Sequence, residues 1–165
     1  MELTGDPGVK AIREPVSPDE IPWEGGRLLF HWWLETRGAR PFPSRAEFDP
    51  AILRGHLATV VLHDVESDQE RPDFRIRLMG TELVAFTGFD PTGRRLDEVP
   101  NTTPIRARYE WLVKTGRPYL GLDIPLGWAS KEYISYSTLA LPLGDDPGRI
   151  DMIMAHLHFE RMPGY

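Results

Sequence analysis

FRIRLMGTELVAFTGFDPTGRRLDEV, residues 74–99, decides the fold. Phe74, Ile76 and Leu78 alternate with Arg75, Arg77 and Met79, the period of two expected of a half-buried strand whose successive side chains point to opposite faces. Gly80 ends that strand. Thr81 is placed to cap a short helix over Glu82 to Thr87, Gly88 stops it, and Asp90-Pro91-Thr92-Gly93 marks a turn before a last short helical piece.

Working outward, Leu57 to Glu66 reads as the preceding strand, with residues 67–73 as the hairpin turn. Downstream, Thr103 caps and Pro104 opens a long helix ended by Gly116. Ile105, Tyr109, Leu112 and Val113 form its buried stripe, and Glu110 and Lys114 make an i,i+4 pair. Trp111, off the stripe near Arg108, is expected to pack against a neighbouring element, with a surface cation–π contact as the alternative. Three strand-like runs follow: Tyr119 to Pro125, Lys131 to Leu143 and Ile150 to Glu160. Upstream, residues 1–20 are rich in Pro, Gly, Asp and Glu without a period, the pattern of a flexible tail. Residues 21–43 hold a helix and its linker: Pro22 to Thr36 is helical, with Arg27, His31 and Glu35 on one face and Leu28, Leu29, Phe30, Trp32, Trp33 and Leu34 nearly everywhere else. Gly38 closes it, Pro41-Phe42-Pro43 extends the chain, and Asp49-Pro50 starts a short turn.

The order of two strands, short helices, one long helix and three strands resembles the PAS domain, and in particular small stand-alone bacterial PAS proteins with a helix before the PAS core. Four patches carry the resemblance: Arg37 to Arg45 with Asp49-Pro50; Arg77 to Glu82 with Thr92-Gly93 and Leu96-Asp97; Thr115 to Pro118; and Leu141 to Leu143 with Arg149 to Met152. It implies an α+β PAS fold over residues 44–165, with a five-stranded antiparallel sheet in the order 2-1-5-4-3, short helices and one long helix on one face, and the N-terminal helix added. It also implies a sensory or interaction module that binds a small organic ligand or a signalling protein partner and works through dimerisation. The alternative is a small α+β enzyme using the internal cavity as its active site.

Composition narrows the chemistry. At 165 residues the chain is one domain, its net charge is −6, and it has no cysteine, which excludes disulfides, thiolate metal sites, a cysteine nucleophile and cysteine-adduct flavin photochemistry. No targeting segment and no apolar run of membrane-spanning length is present, so a cytoplasmic protein is expected, with no membrane and no nucleic acid as partner. The basic residues are scattered: Arg94, Arg95, Arg106 and Arg108 read as solvated arginines paired with nearby acids, with a local anion site as the alternative. The chain ends soon after its last strand, so any signal is expected to leave through a partner.

The last strand has two faces. Ile153, Ala155, Leu157 and Phe159 should face the core, and Met152, Met154, His156 and His158 the outer side, under the Trp-rich helix. His63 is expected to point with His156 and His158, but carboxylates to complete a metal site are missing and no metal is expected. No catalytic residue is assigned, because Ser135 and Ser137 lie mid-strand and no nucleophile elbow exists. For a PAS domain the functional candidate is the cavity between sheet and helices, and the residues placed around it are Ile76, Leu78, Phe86, Tyr109, Leu112, Leu157 and, through the PAS resemblance, Tyr136 and Thr138. Its ligand is not specified, and haem is not expected because the long helix lacks a histidine where sensory PAS domains carry theirs. The wide apolar arc of the N-terminal helix places Leu29, Trp32 and Trp33 at a homodimer interface.

Overall fold

The computed structural model describes residues 9, 11–67, 71–126 and 131–161. Its strands are β1 (Ile12–Arg13), β2 (Val60–Ser67), β3 (Pro72–Met79), β4 (Tyr119–Leu126), β5 (Lys131–Leu143) and β6 (Met152–Arg161); its α-helices are α1 (Glu24–Arg37), α2 (Thr81–Thr87) and α3 (Thr103–Thr115). Short 3-10 turns fill the connections. No helix among the described residues is long and apolar enough to cross a membrane.

All pairings are antiparallel, in the order β1-β4-β5-β6-β2-β3. Counted from β2, the long strands lie 2-1-5-4-3, as expected. The difference is β1. Ile12 pairs with Gly121 and Arg13 with Leu120, so a sixth strand forms where the sequence reads as tail. An unpaired β4 edge offers N–H and C=O groups to any extended neighbour, and a two-residue segment is enough to take some of them. Ser17 and Glu20 then build a capped turn that leads into α1. Residues 1–8 and 10 of the expected tail lie outside the described residues.

A β-bulge resets the phase of β3. Leu62 pairs with Leu78, but His63 pairs with Ile76, so Arg77 is the extra residue of the bulged strand. Without the bulge Ile76 and Leu78 would share a face. With it, Ile76 is 2% exposed and Leu78 is 42% exposed.

Helix α1 lies against β5 and β6, on the sheet face opposite the other two helices. Its first turn comes close because Gly25 has no side chain: a Cβ there would lie 2.3 Å from Cε1 of His156. Trp33 donates its indole N–H to the Pro142 carbonyl at 2.9 Å. Trp32 meets Phe48 edge-on and reaches the Glu47 carbonyl at 3.3 Å. Leu29, Trp32 and Trp33 are thus buried within their own chain, which corrects their expected place at a homodimer interface. The apolar arc is wide because it has two covers, the sheet on one side and residues 42–53 on the other.

On the inner face, Thr102 rather than Thr103 is the N-cap of α3, and its hydroxyl donates to the carbonyls of Leu96 and Val99, both at 2.9 Å. Tyr109 and Leu112 are buried as expected, Ile105 and Val113 half-buried, and Trp111 packs edge-on against Tyr119. Arg106 is buried too. It forms ion pairs with Glu110 at 3.0 Å, Asp97 at 3.3 Å and Asp73 at 3.8 Å, and lies over the Phe74 ring, tying α3 to β3 and the turn at Leu96.

Candidate functional site: a cavity with a charged end

Between the inner sheet face and α3 lies a cavity of about 60 Å³. Strands β5 and β6 contribute Tyr136, Thr138, Ala155 and Leu157, β2 contributes Val61 and His63, β3 contributes Ile76 and Met79, and α3 contributes Ile105, Arg108 and Tyr109. Five of the expected residues, Ile76, Tyr109, Tyr136, Thr138 and Leu157, are in its wall. Three are not. The bulge turns Leu78 to solvent, Leu112 is fully buried one helical turn beyond Arg108, and Phe86 stacks on Phe159 with 4.3 Å between ring centroids.

The polar groups of the wall carry most of the information. Arg108 is 2% exposed. One terminal nitrogen donates to the Tyr136 hydroxyl at 2.8 Å, the Tyr119 hydroxyl is a second partner, and the buried Nε–H has no acceptor. Among the described residues, the groups acting on its charge are the hydroxyls of Tyr136, Tyr119 and Tyr109, with no carboxylate among them. This corrects the reading of Arg108 as a solvated arginine with an acidic partner. Ile105, Arg108, Tyr109 and Leu112 share the i, i+3, i+4, i+7 spacing of one helix face. That spacing signalled burial, but the charge argued against it.

His63 was expected on the outer face with His156 and His158. Register places it opposite Ile153, on the cavity side, where its Nδ1 lies 3.1 Å from the Tyr109 hydroxyl. Burial pushes its pKa down to about 3, so the imidazole is neutral at ordinary pH. Burial also pushes Tyr119 up to about 12 and Tyr109 well above the usual phenol value, with Tyr136 adding to both. The polar end of the cavity therefore carries one fixed positive charge among neutral donors.

His156 lies on the outer face as expected, beneath α1, hydrogen-bonded to Trp23 and to the His56 carbonyl. His158 stacks on Trp23 at 6.0 Å. Among the described residues no cluster of three or more side chains is placed to hold a metal ion.

A family model described as PAS domain matches residues 23–106, half of the chain, from the residue before α1 into α3. No curated protein matches the chain.

Proposed function

Because the chain belongs to the PAS domain family, we propose that it is a sensory module whose internal cavity takes a small organic ligand and whose occupancy is read by a protein partner. The single observation supporting this most strongly is the cavity, an opening of about 60 Å³ bordered by both sheet and α3 inside an otherwise well-filled core. At roughly 24 cal/mol per Å³, an empty void of that size costs about 1.4 kcal/mol, which an occupant would offset. The route outward is short: along β6, Leu157 lines the cavity while its neighbour His156 carries the first turn of α1. A ligand that shifts β6 would shift the seat of α1. A homodimer, which PAS domains commonly form, would have to use surface other than Leu29, Trp32 and Trp33; Leu57 and Leu78 are among the exposed apolar residues available.

One observation favours the enzyme reading, the His63–Tyr109 hydrogen bond at the cavity wall. A histidine held at about 3 is a weak base, and no carboxylate among the described residues lines the cavity to orient it. The sensory reading is therefore preferred.

Ala155→Leu tests it by placing a larger side chain in the cavity. Gently purified wild-type chain, once denatured, should release a small molecule in near-stoichiometric amount, and the folded variant should release none. Equal release from both would count against the cavity as the site.

A further inference from the structure

We infer that the ligand of this cavity is a small monocarboxylate with a short apolar tail, its carboxylate held by Arg108; this rests on the cavity being the chain's binding site. Two buried arginines stand two residues apart on α3 and are treated in opposite ways. Arg106 is surrounded by Asp73, Asp97 and Glu110. Both have a buried Nε–H without a hydrogen-bond acceptor, but that of Arg106 lies 3.0 Å from the Glu110 carboxylate, whereas Arg108, more deeply buried, has only hydroxyl partners among the described residues. Taking a guanidinium out of water is costly unless an opposite charge and a full set of acceptors replace the lost hydration. Tyrosine hydroxyls supply dipoles but no charge. The missing negative charge is supplied by whatever occupies the cavity.

The wall selects among anions. A planar fork of parallel N–H donors matches a carboxylate in two-point geometry, and the Tyr136 and Tyr119 hydroxyls stand beside it, holding the guanidinium in place. One positive charge neutralises a monoanion, whereas a phosphate dianion would leave excess charge against apolar side chains. Away from Arg108 the wall is Ile76, Met79, Ile105 and Leu157, a surface for hydrocarbon. At roughly 10–15 Å³ per water site the cavity holds the equivalent of about four to six waters, which suits an acid of about five or six heavy atoms, near propionate or butyrate in size.

The test is thermal and calorimetric titration of the full chain with the straight-chain acids from acetate to hexanoate, with butyramide as the uncharged match and sodium phosphate and chloride as simple anions, at constant ionic strength. Propionate or butyrate should bind saturably and raise Tm, while butyramide, phosphate and chloride do not. Arg108→Met should weaken binding at least tenfold, and Tyr136→Phe, a milder change that serves if the first variant folds poorly, severalfold. No binding by any acid, butyramide or a simple anion binding as well as butyrate, or undiminished binding by both variants would overturn the carboxylate assignment. Those outcomes leave the cavity reading to be decided separately by the release experiment with Ala155→Leu, which does not depend on the ligand's charge.

Discussion

Trp23 donates its indole N–H to Nδ1 of His156 across 2.8 Å. That bond makes Nδ1 an acceptor, so the imidazole proton sits on Nε2, which meets the His56 carbonyl at 2.8 Å. Both nitrogens are in use, and a proton added to Nδ1 would face the indole donor head-on. Burial above all, with His56 and His158 adding to it against the His56 carbonyl bond, holds the pKa down to about 4.

Acid should therefore loosen the seat of α1. An unfolded histidine takes up its proton near pH 6.5, whereas folded His156 resists to about 4 and His63 to about 3. Their contribution is fully present above about pH 6.5 and falls on the order of 1.4 kcal/mol per pH unit for each as the pH drops, levelling below about 4 for His156. Urea unfolding at pH 7.5, 6 and 5 should show the decline, and His156→Gln should remove close to half of its slope over that range. Unchanged slopes in the variant would contradict this reading.

Gly25→Ala should destabilise, although alanine is the better helix former by about 1 kcal/mol. The added Cβ would meet the His156 ring at 2.3 Å, which the buried imidazole cannot yield to. A loss of about 1–3 kcal/mol in urea unfolding is expected, against a change within about 0.5 kcal/mol for Glu35→Ala on the exposed face of the same helix.

Arg106 and Arg108 should respond differently to methionine. Arg106→Met leaves carboxylates without their cation and should cost about 1–3 kcal/mol. In ligand-free protein Arg108→Met removes a charge with no carboxylate partner and should cost less. Comparing the two urea midpoints checks this, and an equal or larger loss for Arg108→Met would mean the tyrosines alone satisfy that guanidinium.

Leu78→Gln should change stability by no more than about 0.5 kcal/mol, whereas Ile76→Ala should cost about 2–5 kcal/mol. Similar losses at the two positions would mean that the strand keeps an unbroken alternation and that the bulge at Arg77 is absent.

That bulge also shows where sequence reading stopped. The succession of elements along the chain, the single long helix and the C-terminal helix ends were legible because glycines and periodicity act locally, while the spatial order of the strands came with the PAS resemblance. Gly88 and Gly116 both take left-handed backbone at φ 83 and 70, as helix-ending glycines do, but the N-caps fell one residue earlier than expected, at Gly80 and Thr102. The two faces of β6 were legible for the same reason, since no irregularity interrupts its alternation against β5. Leu78 was misplaced because an extra residue in one strand leaves no local mark. His63 was misplaced because its face is set by pairing with Ile153 on a distant strand. Leu29, Trp32 and Trp33 were read correctly as needing cover, but an apolar arc does not say whether its cover comes from the same chain. Arg108 was read as solvated and paired with an acid, with a local anion site only as the alternative, because a charged residue on an apolar helix face is ordinarily solvated, and only the assembled cavity makes it an exception.

The central claim, that the space between the sheet and α3 is a ligand site, is most directly tested by a crystal structure of gently purified full chain at a resolution that shows ordered water. Continuous density for a small organic molecule is expected against Ile76 and Leu157, with one end within hydrogen-bond distance of the Arg108 guanidinium. Density for separate waters alone, or side chains closed over the space with no room for an occupant, would contradict it.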